Sequence, residues 1–415
     1  MVMKPKPKVI VVGGGFGGLE SAFYLRKRLA ERVDITLISE YDYFLFKPNL
    51  IYVPFGLDPQ ALKIPLEHPT TRKNIAFVNA RIREVDPVKK TVMTENGDSY
   101  SYDYLVLATG AVGHTTEIEG LSEYAHLIWT VGEMQRLGKS LEELQPTSSK
   151  IPQLVFVLPP GNQYAAPLYE MVFMMDTWLR RKGVRQYVNM VWTTHEHSYL
   201  ESFGPRLHEV LLREFAERDI RHYNNLNVSK IENGRVLYQN GDSYPFDMLV
   251  SFPPYVASTK FAGLPKDERG FIATELYTRR VVGHDDLYVA GDTGDFPLKQ
   301  GFAAFSQADA IAENIAAQIT GETPSFAFKP FGMAVIDHLD KATFTQVPLH
   351  TIGGTHVISD SPYYKTGTSV MWRLGKQMMG KYLPWRFSEG EPLRSGLGWE
   401  GMNTGFKVMS DMLTD

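Results

Sequence analysis

The sequence predicts an α/β protein of two Rossmann-like domains, the first split by the second, followed by a C-terminal region with amphipathic helices. Three observations carry this. A glycine-rich turn, Gly13-Gly14-Gly15-Phe16-Gly17-Gly18, joins an apolar strand to a helix near the start of the chain. A second strand–turn–helix pattern opens at Gln153. The segment Tyr102–Val106 is echoed by Phe246–Val250, as an internal repeat of one supersecondary unit requires.

Composition narrows the function classes. The chain has 415 residues, enough for two or three domains with their own cores. Its 43% hydrophobic and 22% charged content is that of an ordinary globular protein. A net charge of −4, with no long basic run outside the tail, gives no reason to expect nucleic acid. There is no cysteine, which excludes disulfides, thiolate metal sites and thiol-based mechanisms. The opening MVMKPKPKVIVV is cut short by glycines and does not read as a signal peptide. No apolar run approaches the roughly 18 residues of a membrane span. The expected chain is soluble or lies on a surface.

Taken in order, KVIVVGGGFGGLE gives a buried strand, a Gly13-x-Gly15-x-x-Gly18 turn and a helix running to Leu29. Gly13 permits the tight turn, Gly15 lets a pyrophosphate approach the backbone, and Gly18 lets helix and strand pack closely. Phe16 and Gly17 complete the turn, and phosphates would sit on the helix N-terminus. Val33–Ser39 is a second strand ending in Glu40. That acid is placed to accept hydrogen bonds from a ribose, about 20 residues past the glycines.

Two further segments indicate which dinucleotide. Tyr102–Leu107 leads into Ala108-Thr109-Gly110, and Asp286–Ala290 leads into Gly291-Asp292. With these motifs in this order, the chain resembles the two-dinucleotide-domain FAD oxidoreductases of the pyridine nucleotide-disulfide oxidoreductase type. The resemblance implies that the early fingerprint binds FAD, that Ala108-Thr109-Gly110 closes the domain, and that Asp292 holds the ribityl and phosphate region. The expected division is a FAD domain at 1–115 and 280–325, a second Rossmann-like domain at 116–279, and a C-terminal membrane-facing region at 326–415.

Within the second unit, a strand at 153–157, a helix at 168–182, a strand at 188–193 and an amphipathic helix near 206–218 are expected. Asn240-Gly241 favours a hairpin turn. The turn itself, LPPGNQYAAPLYE, puts Gln163, Ala165 and Leu168 where glycines belong, so it is a degenerate NAD(P) motif. Glu196 near the end of the second strand reads as a surface glutamate, with a ribose contact as the alternative.

This turn resembles the corresponding stretch of sulfide:quinone oxidoreductases and flavocytochrome c sulfide dehydrogenases at Pro167, Tyr169 and Glu170. Tyr164 then stands at a redox-cysteine position, and Ala334, in GMAVIDHLD, at the other. Sulfide oxidation through a thiolate is excluded, because the nucleophile it requires is missing. The resemblance also places Asp292–Gly301 beneath the flavin, with Lys299 and Gln300 at its reduced-charge edge. It puts Lys47-Pro48 on a loop beside the ring. Lys299 and Tyr164 are the candidate reacting-site residues.

His195-x-His197 reads as polar loop rather than a metal site. In the tail, Met371, Leu374, Met378 and Tyr382 share a helical face with Trp372, Met379 and Leu383 beside it. Arg373, Lys376, Gln377 and Lys381 take the other face. A second stripe runs Trp399, Met402, Phe406, Met409, Leu413. Docking on the chain's own core or on a homodimer partner competes here with interfacial attachment to a membrane. The resulting expectation is a peripheral FAD-dependent oxidoreductase on the cytoplasmic face, passing electrons from an unidentified donor to a quinone. A type II NAD(P)H:quinone oxidoreductase and a flavoprotein that binds a redox partner without small-molecule turnover are the alternatives.

Overall fold

Two parallel sheets that share the order of four of their five strands organise the chain, which is seen here in a computed structural model describing residues 5–351 and 356–414. Residues 1–4 of the leader reading lie outside them. The first sheet runs Leu287–Val289, Tyr104–Leu107, Lys8–Val12, Asp34–Ser39, Ala76–Asn79. The second runs His126–Leu127, Met248–Ser251, Gln153–Leu158, Asn189–Thr194, Arg221–Tyr223. The central strands are buried on both faces, which is why Val9–Val12 and Leu154–Leu158 read as unbroken apolar runs.

The repeat extends to single hydrogen bonds. Asp103 accepts from the Lys8 N–H at 2.7 Å and donates its own N–H to the Lys8 carbonyl at 2.8 Å. Asp247 makes the same pair with Gln153, at 2.8 and 2.9 Å. Each aspartate sets the register of the strand that follows it. Each unit also carries a three-stranded antiparallel sheet, 82–101 in the first and 228–245 in the second, and the latter turns at Asn240-Gly241.

The chain re-enters the first sheet at Leu287–Val289, and the Gly301–Thr320 helix then packs on the Phe16–Leu29 helix. The Ala166–Arg181 helix begins two residues earlier than the pattern suggests, because Pro167 is accommodated in its first turn.

Beyond these units, Phe331–Asp337, Ala342–His350 and Lys365–Ser369 form an antiparallel sheet. Two helices follow, Val370–Ser388 and Leu397–Leu413. The first does not lie as its pattern suggests. Trp372 is fully buried and stacks on Phe344 at 4.0 Å, and Phe387 joins Phe16, Phe23, Phe44 and Phe305 in the core of the first unit. No helix of the described residues is long and apolar enough to cross a membrane.

Candidate functional site

Close packing fixes most of the glycines in the first turn. Gly13 has φ +110°, and a Cβ there would lie 2.2 Å from the Ala108 carbonyl oxygen. A Cβ on Gly18 would sit 1.8 Å from the Gly13 carbonyl oxygen, and one on Gly17 would sit 2.7 Å from the Ala290 methyl. Gly15 differs, since a Cβ there would meet nothing within 4 Å. Beside this open space the Phe16–Leu29 helix starts with no side-chain cap and no acid in its first turn. Its unpaired N–H groups and dipole form a seat for phosphate. The Phe16 ring turns away into the cluster with Phe44, Phe46 and Phe305.

Facing this turn, the Gly110 N–H donates to Thr293 Oγ1 at 2.7 Å, tying Ala108-Thr109-Gly110 to the Gly291–Thr293 turn. Gly291 is held in place by Gln307, whose Oε1 accepts its N–H at 2.8 Å. Thr109 Oγ1 is buried without a hydrogen-bond partner. Burial raises the pKa of the Asp292 carboxylate, opposed by Lys299 and Lys47. Glu40 ends the second strand, 3.9 Å from Arg81 Nε and half exposed. The open glycine, uncapped helix, orphan hydroxyl and two available acids fit FAD, with pyrophosphate at Gly15, ribose at Glu40 and the ribityl chain at Asp292.

The two lysines near this cradle are in different states. Lys299 is buried, donates to the Gly294 carbonyl, and lies 3.7 Å from the Phe271 ring centroid. Burial lowers its pKa to about 8 against the pull of Asp292. Lys47, with Pro48 in the turn that follows, is open to the cleft, and its Nζ lies 5.2 Å from the Trp129 ring. Gln300 precedes the Gly301–Thr320 helix and bridges to the C-terminal sheet, donating to Phe331 O at 3.3 Å and accepting from Met333 N at 3.4 Å.

The second cradle is filled with side chains. Leu168 and Tyr169 are fully buried, and Tyr169 OH donates to Glu196 Oε2 at 2.6 Å. Glu196 is therefore not on the surface: it is 7% exposed, with burial raising its pKa to about 7. Tyr169 is large enough to reach it from the helix, so the acid is used inside the domain. Tyr164 is half-buried and packs against the large core cluster that also contains Ala334. Burial, with Glu170, raises the Tyr164 pKa. No group of three or more metal-ligating side chains occurs among the described residues.

The tail contributes a buried polar cluster that sequence patterning missed. Lys376 Nζ donates to Glu170 Oε1 and, at 2.9 Å, to the Val335 carbonyl. Arg373 Nε donates to Asp337 Oδ1 at 3.1 Å, and Tyr52 OH to Asp337 Oδ2 at 2.6 Å. The Asp337 N–H completes the link to Glu170 at 2.9 Å. Burial, with Asp337, raises the Glu170 pKa to about 7 against the opposing Lys376. Arg373 and Lys376 thus face inward, whereas Met371, Leu374, Met378 and Trp385 are 45–64% exposed. Helical spacing put Arg373, Lys376, Gln377 and Lys381 on one face, but Arg373 and Lys376 turn inward while Gln377 and Lys381 stay exposed. Nothing local announces buried acids on a distant strand and helix.

A cavity of about 850 Å³ opens beneath the last helix, lined by Phe302, Phe331, Met333, Met379, Trp399 and Phe406 and by the charged side chains of Asp309, Lys365, Arg394, Lys407 and Asp411 among others. Met379 lies one helical turn from Lys376, and Met333 is on the strand of Val335.

Comparison with known proteins agrees with this geometry. Residues 7–157 match the family described as pyridine nucleotide-disulphide oxidoreductase. The chain is 33% identical over 258 residues to a sulfide-quinone reductase of Aquifex aeolicus, covering 60% of this chain and 58% of that protein. It is 25% identical over 341 residues to a type II NADH:quinone oxidoreductase of Staphylococcus epidermidis, covering 77% of this chain and 84% of that one. The crystal structure of the Aquifex aeolicus sulfide:quinone oxidoreductase superposes with a TM-score of 0.85 at 24% identity, covering 97% of this chain and 96% of that chain. The fold is that of a two-dinucleotide-domain FAD oxidoreductase.

Proposed function

We propose that the protein is a FAD-dependent oxidoreductase held at a membrane surface, passing electrons from a small donor to a quinone. The observation that carries this is the cavity beneath the last helix, walled by aromatic and methionine side chains together with charged ones and flanked by an exposed apolar stripe. Aromatic and methionine walls suit a ring with a lipid tail, and the polar side chains of the same lining, Gln346, Asn403 and Arg394 among them, suit its oxygens.

Bound FAD supplies the two-electron chemistry. The chain does the rest. Gly15 and the helix N-terminus seat the pyrophosphate. Quinone reduction takes up two protons with two electrons, and Glu170, held by burial at a pKa of about 7 against the pull of Lys376, is placed to give up one of them near neutral pH, the other coming from solvent. Asp337, Tyr52 and Arg373 extend that network behind it. Met371, Leu374, Met378 and Trp385 are available to enter the lipid interface.

The type II NAD(P)H reading shares the quinone side and differs in the donor. The Tyr169–Glu196 bond and buried Leu168 weigh against it, since the acid that would meet a ribose is engaged inside the domain and a leucine stands at the position of the close-packing glycine. The decisive experiment loads the protein with FAD, reduces it chemically under anaerobic conditions and mixes it with a short-chain quinone. Rapid flavin reoxidation is expected. A flavin that stays reduced at saturating quinone overturns the proposal.

A further inference from the structure

Two buried carboxyl groups meet at one wall of the cavity beneath the last helix. Asp309, on the Gly301–Thr320 helix, lines the cavity and is 3% exposed. Glu20, on the Phe16–Leu29 helix, is fully buried and hydrogen-bonds Asp309 side chain to side chain. Few donors reach the pair. Both Glu20 oxygens accept from one N–H, that of Leu393, at 2.8 and 3.0 Å. Arg394 Nε donates to Asp309 Oδ2 at 2.7 Å, while Asp309 Oδ1 has no donor.

Two carboxyl groups in mutual hydrogen bond hold a proton between them, since a carboxylate cannot donate and two adjacent charges repel. That proton satisfies Asp309 Oδ1. Burial raises the pKa of both acids, with Asp309 adding to the effect on Glu20 and Arg394 opposing it on Asp309. The neighbours leave the proton where it is. Glu313, one turn past Asp309, accepts from Tyr24 OH at 3.0 Å and the Ser325 N–H at 3.2 Å, with Arg28 Nε 3.5 Å away. Tyr382, the titratable group near Glu20 on the Val370–Ser388 helix, is kept neutral by burial. From the last helix, Ser410 lines the same cavity, is 6% exposed, and its hydroxyl has no partner. A stored proton in one wall and an orphan hydroxyl in another suit a ligand that accepts hydrogen bonds.

We infer that Asp309 is a second proton donor to the ligand of this cavity, with Glu20 as the positioning residue that holds the proton on it. This rests on the quinone reading above and deepens it. Glu170 gives one of the two protons, and the one drawn from solvent passes through the Glu20–Asp309 pair. As two electrons arrive from reduced flavin, an O–H bond forms on a ring oxygen and the shared proton leaves the pair. Both acids are then ionised with Arg394 facing them, so solvent refills the pair once the quinol has left.

The test uses full-length, FAD-loaded protein and two variants, Glu20→Gln and Asp309→Asn. Glutamine keeps the Leu393 contact and donates to Asp309 Oδ1, so FAD content and melting temperature should hold. Infrared spectra of the oxidised protein at mildly acid pH, with no quinone, should show a protonated carboxyl in the wild type that Glu20→Gln lacks. After chemical reduction, saturating short-chain quinone should reoxidise the variant's flavin at least about tenfold more slowly, with the half-saturating quinone concentration unchanged. An unchanged carboxyl band, or a wild-type saturating rate, overturns the inference. So does a higher half-saturating concentration at the wild-type maximum, because the pair would then only shape the cavity. Asp309→Asn carries the same infrared and rate expectations and decides the matter if Glu20→Gln does not fold. A wild-type flavin that quinone leaves reduced, with the carboxyl band present, instead fails the quinone reading and takes this inference with it.

Discussion

Tyr169 reaches across the second unit to donate its hydroxyl to Glu196 at 2.6 Å, and the acid it engages is 7% exposed. The position that would meet a ribose is therefore turned into the core. NADH and NADPH should reduce the bound flavin slowly or not at all. Stopped-flow reduction within milliseconds at micromolar NADH would defeat this and promote the type II reading.

The same pair makes stability depend on pH. Burial raises Glu196 from its ordinary 4.5 to about 7. Between those values the folded state keeps a proton that the unfolded state has released, so stability falls as pH rises through the window. The wild type should lose on the order of 2 kcal/mol more than Glu196→Gln between pH 5 and pH 8. Chemical denaturation at the two pH values checks this, and parallel losses would refute it.

Much of the first unit was legible because glycine spacing and strand runs are local features, whereas the Asp103–Lys8 pair spans 95 residues and only the fold shows it. The repeat was legible from the likeness of Phe246–Val250 to Tyr102–Val106, and the Asp247–Gln153 pair appears only in the fold. The filled second cradle was half legible: Leu168 ruled out a normal turn, but only the fold brings Tyr169 onto Glu196. The orientation of the Val370–Ser388 helix was not legible. A helix with one apolar and one basic face can dock by either, and the buried acids at Glu170 and Asp337 decide it.

Glycine substitutions separate folding from binding. Gly18→Ala would drive a methyl into the Gly13 carbonyl and should cost stability in the FAD-free protein. Gly15→Ala meets open space, so the FAD-free melting temperature should hold while FAD affinity falls tenfold or more. Flavin retained after gel filtration and a thermal melt together decide it. Equal FAD affinity in Gly15→Ala would contradict the placement of pyrophosphate.

Glu170→Gln should slow quinone reduction by roughly tenfold to a hundredfold. In the wild type the rate should fall as pH rises through about 7, where Glu170 loses its proton. The variant should be slow and flat across that range. A variant with the wild-type profile would remove Glu170 from proton delivery.

Replacing Met371, Leu374, Met378 and Trp385 with glutamine should leave the fold intact, since each is 45–64% exposed. Each contributes about 1 kcal/mol to vesicle binding when half-buried in lipid, so the quadruple variant should no longer co-sediment with vesicles. Salt should matter little, because Arg373 and Lys376 are engaged with Asp337 and Glu170. Unchanged sedimentation of the variant would favour docking between copies of the chain. Removal of everything from Ser369 should instead destabilise the protein, since it strips Phe387 from the first core and leaves Glu170 without its lysine.

The late strand Leu287–Val289 has a consequence for how the molecule is made. It supplies an edge of the sheet begun by Lys8–Val12, and the helix after it covers Phe16–Leu29. A ribosome therefore releases the second α/β unit whole before the first has its full sheet. The second unit can close on contiguous chain, while the first waits as an open, apolar-edged intermediate. Newly made chains should pass through a stage at which chaperones engage residues near the N-terminus rather than the segment just emerging.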